Sequence, residues 1–343
     1  MGAGRRLSLV RVTGLVPYAD ALALQMALAG AVRAGRRGLG DVLVLLQHRP
    51  TYSLGRRLAA LAPPHVDADA NASDPAPAGA PDLRGFSARA LALATGAEVI
   101  VSSRGGRATY HGPGQVVAYP IVSLRGLGIM PRAWVHGLEA CTARALNSAF
   151  FEVRPLDEQM RAAAHMKLQK AKGVWSPQPP PELNPTRRRR PSLLEALGAA
   201  LEARPGVGSD RTGVWVGDAK VAAVGVQVTQ GVSVHGVAIN VAVDLERFRP
   251  IVPCGIDDAQ VTSVRRLLRR RFMADDAPDV DGDEIDDARD PDGEWAAAAE
   301  QAMAHEFAAQ FGHARLSPWT DLPAEALRTT EGVRAAVRAI CAA

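Results

Sequence analysis

Lysine is nearly absent from this chain. Of 40 basic side chains only Lys167, Lys170, Lys172 and Lys220 are lysine, and the first three share one polar segment. The base composition of the gene accounts for the general drift to arginine. Arginine keeps its proton at every accessible pH whereas a lysine can be tuned, so the isolated exception, Lys220, marks a place where a titratable amine is needed. Cysteine is scarce as well: Cys141, Cys254 and Cys341 are widely spaced, with no CxxC pair and no Cys/His cluster at metal-ligand spacing. That pattern indicates neither a disulfide framework nor a zinc site and makes a reducing compartment the default. No apolar run approaches the roughly 18 residues that cross a bilayer. The opening "MGAGRRLSLV" has two arginines and no acid; it is short for a transit peptide and lacks a secretory apolar core, which leaves cytosol and mitochondrial matrix open.

What is present is ordinary globular material, 47% hydrophobic and 22% charged over 343 residues, and a net charge of +4 does not demand nucleic acid. Strand-like and helix-like segments alternate. "LSLVRV" (7–12) and "DVLVLLQH" (41–48) read as strands around an Ala/Leu-rich helix at 18–35. Residues 97–103, 114–124, 213–228 and 233–243 supply further β-branched runs, and helices are expected at 131–151 and 294–311. Several strands follow one another with no room for a helical crossover, so the fold class is α/β (α+β), one domain around a mixed sheet with flanking helices. Residues 61–86, 156–211 and 274–293 lack the apolar content for a core of their own and read as flexible insertions. The basic runs "RRRR" (187–190) and "RRLLRRR" (265–271) have no interleaved aromatics, and an acidic stretch follows the second; they read as solvated loops, not a nucleic-acid surface.

Two places invite chemistry. "RGGRATYHGPGQ" (104–115) packs four glycines, a proline, Tyr110 and His111 between strands. Glycine at that density lets the main chain approach a ligand with free amide donors, although the spacing is neither a P-loop nor a dinucleotide fingerprint, and a tight hairpin would serve as explanation equally well. His111 in that loop could orient a substrate or move a proton; His235, on a strand, reads instead as a satisfied core or edge residue. The second place is "IVPCGI" (251–256), where Pro253 fixes the approach to Cys254 and Gly255 frees the exit. Free cysteine is usually buried filler, yet a thiol at a bend is reachable. An ammonium nearby, for which Lys220 on an adjacent strand is the candidate, would raise its thiolate fraction.

Taken in order, "RGGRATYHGPGQVVAYPIVSL", "GVWVGDAKVAAVGVQV", "HGVAINVAVDL" and "IVPCGI" followed by "VTSV" resemble the successive signature blocks of lipoyl(octanoyl) transferases, with "QHRPTYSLGRR" (47–57) fitting upstream. The resemblance runs to about residue 264 and loosely over 294–311. It implies the fold of the biotin and lipoyl protein ligases and transfer of an octanoyl group from octanoyl-acyl carrier protein to a lysine of lipoyl-domain proteins and the glycine cleavage H protein. It further implies a monomer acting without nucleic acid, membrane, metal or cofactor, since the acyl group arrives activated. By position, Cys254 resembles the acyl-thioester nucleophile and Lys220 the lysine that activates it. Arg104, Gly105, Gly106, Arg107, Ala108, Thr109, Tyr110 and His111 resemble the substrate-binding segment. Ala223, Val224 and Gly225, with Gly236, Val237 and Ala238, resemble further walls of the acyl pocket. Insertions of this length favour a eukaryotic enzyme and hence the mitochondrial matrix, with the cytoplasm as alternative. The rivals are an ATP-using lipoate or biotin ligase, which needs no nucleophilic cysteine, and a non-catalytic scaffold for lipoyl domains. Acyl carrier proteins are acidic, so the basic runs could help dock one.

Overall fold

The computed structural model describes residues 5–36, 39–59, 83–84, 87–151, 212–252, 260–272 and 293–343. Within them eleven strands run β1 (Arg5–Val16), β2 (Asp41–His48), β3 (Thr51–Leu54), β4 (Glu98–Val101), β5 (Ala108–His111), β6 (Gln115–Ser123), β7 (Val214–Val216), β8 (Ala219–Thr229), β9 (Val232–Asn240), β10 (Gln260–Val261) and β11 (His313–Pro323). The principal helices are α1 (Tyr18–Arg33), α2 (Ala88–Thr95), α3 (Pro131–Leu146), α4 (Val264–Phe272), α5 (Glu294–Phe311) and α6 (Thr330–Ala342). The three expected insertions lie outside the described residues, apart from 83–84 and 293.

The strands form two sheets, not one. The larger follows the order β10-β8-β9-β6-β2-β1-β11 with β7 also on β8, and it is mixed: β1 runs parallel to β2 and β11, while β2, β6, β9 and β8 alternate in direction. Of the smaller, β4-β3-β5, the run at 97–103 had marked β4, while β3 and β5, four residues each, were too short to stand out. Period-two alternation sorts the large sheet's side chains. Leu43 and Leu45 of β2, Val116 and Ala118 of β6 and Val237 and Ile239 of β9 pack against α3, α4 and α5. Val42 and Val44, Val117 and Tyr119, and Val234 and Ala238 face the other way, toward α1 and α6.

Strand β11 and helix α6 were not anticipated. Pro318 and Pro323 interrupt the strand signal, but β11 is an edge strand, where a missing N–H costs no ladder bond. The run 265–271 is also not a solvated loop: it belongs to α4, whose Val264 and Leu267 are buried in the core. Among the described residues no helix is long and apolar enough to cross a membrane.

Candidate active site

A trough runs along β6, β9 and β8 on the face shared with α1, because the residues there are small. Val117 pairs with Ala238, and Ala238 with Ala223; two residues on, Gly236 faces Gly225. The small sheet and the loop before β5 stand over these rows and leave a cleft. Arg104, Gly106, Arg107, Thr109 and His111 line it from above, and Ala223, Val224, Gly225, Gly236, Val237 and Ala238 from below. Tyr18 from the start of α1, Val117, Tyr119 and His235 complete the wall. Those four were not singled out from sequence as site residues. Alternation along β6 would have found Val117 and Tyr119 from Gln115; Tyr18 comes from a remote helix and carries no local signal.

Three expected wall residues do not line the cleft, and Val224 and Val237, which do, belong with their side chains to the core on the other face of the sheet. Ala108 and Tyr110 point to the opposite side of β5, into a core with Leu54 and Phe248. Gly105 donates its N–H to the Val226 carbonyl (3.0 Å) and so closes the loop onto β8. His111 is not in a loop but ends β5.

The cleft's polar groups are tied into defined tautomers. His48 Nδ1 lies 2.9 Å from the Val16 carbonyl, which only accepts, so Nδ1 carries the proton and Nε2 accepts from Tyr119 Oη at 2.7 Å. The Gln115 amide donates to the Tyr110 carbonyl and to Asn240 Oδ1, so its Oε1 accepts from His111 Nδ1–H (2.8 Å). His111 Nε2 then accepts from Ser53 Oγ–H (3.2 Å), while Ser53 Oγ in turn accepts from Arg104 Nε and Nη2. Burial holds the imidazoles uncharged: His48 and His235 are pushed down to about 4, His111 well below its ordinary value, with Arg104 adding to the effect on the last two.

His235 is buried on a strand as expected, but it also faces the cleft, and its φ of +59° is left-handed. The cause is Pro120. Without an N–H it interrupts the β6–β9 ladder, which breaks off after Ala118–Val237 and resumes at Val122–Ser233. In the gap the His235 N–H turns to Gln25 Oε1 of α1 (2.7 Å).

Lys220 lies outside the main cleft. With Gln115, Asn240, Phe248 and Val261 it borders a smaller cavity that shares Thr109 and Ala223 with the cleft. The residue is buried, and its Nζ sits 5.4 Å from the centroid of the Trp215 ring. Gly213 makes room for it: a Cβ there would come within 2.5 Å of Lys220 Cε. The Gly213 N–H donates to Glu139 Oε1 at 2.7 Å. Burial pushes the Glu139 carboxyl up, while that N–H, His136 and the charge of Lys220 pull it back. Cys254 lies outside the described residues, so its pairing with Lys220 is not placed by this geometry.

The catalytic-domain model of lipoyl protein ligases A and B matches residues 17–176 and 191–280. The mitochondrial octanoyltransferase of Arabidopsis thaliana is 31% identical over 254 residues, 74% of this chain and 76% of that protein. An octanoyltransferase of Rubrobacter xylanophilus is 33% identical over 267 residues, 78% of this chain and 86% of its own. Among solved structures, the bi-partite lipoate protein ligase of Thermoplasma acidophilum aligns over 99% of this chain and 93% of that one, with 14% identity and a TM-score of 0.47. A family model covering well over half the residues and relatives above 30% identity along most of their length place the chain in the lipoyl protein ligase A/B catalytic-domain family, among its octanoyltransferases.

Proposed function

We propose that the protein moves an octanoyl group from octanoyl-acyl carrier protein onto a lysine of lipoyl-domain proteins and the glycine cleavage H protein, through an octanoyl thioester on Cys254. One observation carries the reading: the described chain on either side of the segment containing Cys254 reaches the cavity that Lys220 borders, through Phe248 before it and Val261 after it. Downstream, Val261 pairs in register with Lys220, and the Thr262 N–H donates to the Lys220 carbonyl (2.9 Å). Upstream, the Ile251 N–H donates to Phe248, which borders the same cavity as Lys220. Cys254 follows Ile251 by three peptide units, a reach of roughly 10 Å at most.

Chemically, the Cys254 thiolate attacks the donor's thioester carbonyl, and the carrier's thiolate leaves with a proton. One thioester replaces another, so this half-step is near balance. The acceptor's neutral lysine amine then attacks the octanoyl-cysteine, the cysteine thiolate leaves, and the amide formed draws the reaction forward. Lys220 has two tasks: as an ammonium it favours the thiolate, and it passes on the proton that the incoming amine must lose. The trough of Val117, Ala223, Gly225, Gly236 and Ala238 suits an unbranched apolar chain, and the uncharged imidazoles add no fixed charge to its wall. The protein acts as a monomer, in whichever compartment holds the carrier and the lipoyl domains together; the mitochondrial relative favours the matrix.

Incubating the protein with octanoyl-acyl carrier protein and mapping the adduct by mass spectrometry tests this. Octanoylation should fall on Cys254 and vanish in Cys254→Ser together with transfer. Full transfer by Cys254→Ser would instead mean that the acceptor amine takes the acyl group without a thioester on Cys254, and incorporation of free octanoate that depends on ATP would point to adenylate chemistry.

A further inference from the structure

Glu139 is buried on α3, beside Trp134, Leu138, Cys141 and Ala145 of the apolar core. Its Oε1 accepts the Gly213 N–H (2.7 Å). A glutamine would accept that N–H equally well without taking a charge out of water, so the hydrogen bond accounts for an acceptor and not for a carboxylate. The carboxylate has two further neighbours. Gly213 also packs against Lys220, whose Nζ stands 3.1 Å from where a Cβ at 213 would be, so amine and carboxylate meet across one glycine. One helical turn back on α3, His136 Nδ1 lies 3.7 Å from Glu139 Oε2, and the His136 side chain is 39% exposed. Lys220, Glu139 and His136 thus lead in order from the buried cavity to water.

We propose that this row is a proton exit: Glu139 takes a proton from Lys220 and hands it to His136, which releases it to water. The inference rests on the transfer reaction proposed above and concerns its second half-step. The acceptor's lysine arrives as an ammonium, since the ordinary pKa of that group is about 10.4. It has two protons to lose, one to become a nucleophile and one as the amide forms. Lys220 has given its own proton to the departing carrier thiolate, so it is neutral at this stage and can hold one of the two. The other must leave while the octanoyl-cysteine waits. No bond to carbon changes in the exit: an N–H of the Lys220 ammonium breaks as Glu139 gains an O–H, that O–H breaks as His136 Nδ1 gains the proton, and water takes a proton from the imidazolium. Imidazole suits the outer position because it both takes and releases protons near neutrality. Neither Glu139 nor His136 touches the substrate; both act through Lys220.

The test separates the half-steps by rapid quench. Octanoyl-acyl carrier protein is mixed with the parent, with Glu139→Gln and with His136→Ala, and formation of octanoyl-cysteine is timed; an unmodified lipoyl domain is then added and loss of the thioester is timed. Glu139→Gln keeps the hydrogen bond from Gly213 and should melt like the parent. Its octanoyl-cysteine should form at the parental rate but pass to the lipoyl domain about a hundredfold more slowly, the low end of what a positioned proton acceptor supplies. His136→Ala leaves the Gly213 contact alone and should show the same split to a lesser degree, with added imidazole restoring the second half-step. Both half-steps slowed alike in His136→Ala, neither slowed in Glu139→Gln, or no rescue by imidazole would overturn the proposal. A parent that forms no octanoyl-cysteine would overturn the transfer reading itself, and the exit with it.

Discussion

Gly236 and Gly225 face each other across β9 and β8, yet adding a methyl group should do opposite things at the two positions. A Cβ at 236 would fall well under 3.0 Å from the Ala118 carbonyl oxygen and at 2.5 Å from Pro120 Cδ. Both belong to β6, a strand interior to the sheet, so nothing flexible can yield and β9 must part from β6. Overpacking against rigid neighbours costs about 3 kcal/mol at the upper end of its usual range. One further ladder hydrogen bond lost adds about 1 kcal/mol. At about 2–4 °C per kcal/mol for domains of 150–250 residues, Gly236→Ala should lower Tm by roughly 8 °C or more. A Cβ at 225 would stand 3.1 Å from the Gly105 carbonyl and 3.3 Å from Arg104 Cδ, distances that shifts of a few tenths of an ångström relieve. Gly225→Ala should therefore melt close to the parent but fill part of the trough, and one methyl group in an apolar pocket changes kcat/KM by about ten- to a hundredfold. Calorimetry paired with an octanoyl-transfer assay decides. If Gly236→Ala melts within a degree or two of the parent, or Gly225→Ala keeps full activity, the trough does not do what its geometry suggests.

Lys220→Arg keeps the charge but cannot relay a proton at accessible pH, so transfer should fall at least tenfold while the variant still folds; parental activity would remove the argument from lysine scarcity. Tyr119→Phe strands the buried His48 Nε2 without its donor and should cost about 1–3 kcal/mol in thermal melts. Acid should weaken the fold in two stages. His48 and His235 titrate near 4 when folded and near 6.5 when unfolded, so their contribution is complete above 6.5 and disappears as pH falls toward 4. Burial pushes the Asp41 carboxyl up, but hydrogen bonds from His313 Nε2 (2.9 Å) and Arg5 and from the Ser123 N–H outweigh it and hold it below its ordinary value. Its contribution is present above that ordinary value and is lost as pH falls through the lowered one, so Asp41→Asn should flatten only the lowest-pH part of the urea midpoint against pH.

The central strands were legible because β-branched runs between turn residues leave few alternatives: β1, β2, β6, β8 and β9 all appear where periodicity put them. Of the small sheet only β4 was, at 97–103, because four-residue strands such as Thr51–Leu54 and Ala108–His111 carry too little pattern to stand apart from a glycine-rich loop. The same brevity explains two of the three expected wall residues that do not line the cleft, Ala108 and Tyr110. Once 108–111 is a strand, alternation sends Thr109 and His111 to one side and Ala108 and Tyr110 to the other, where a loop reading had grouped all four.

His235 shows a different limit. Its run "SVHGVAINV" signals an ordinary strand, and nothing local reveals that Pro120, distant in sequence but on the neighbouring strand, withholds the ladder bond that would have kept it ordinary. The left-handed turn costs backbone strain of about 1–3 kcal/mol, and a strained histidine persists only where surrounding contacts over-determine it. Gln25 supplies one such contact to the His235 backbone, and Ser103 and Tyr18 meet its ring. All three come from elements that wall the cleft. The irregularity in the sheet and the place where an acyl chain would lie thus have one origin, a proline in a central strand beside two glycines that let the backbone come close.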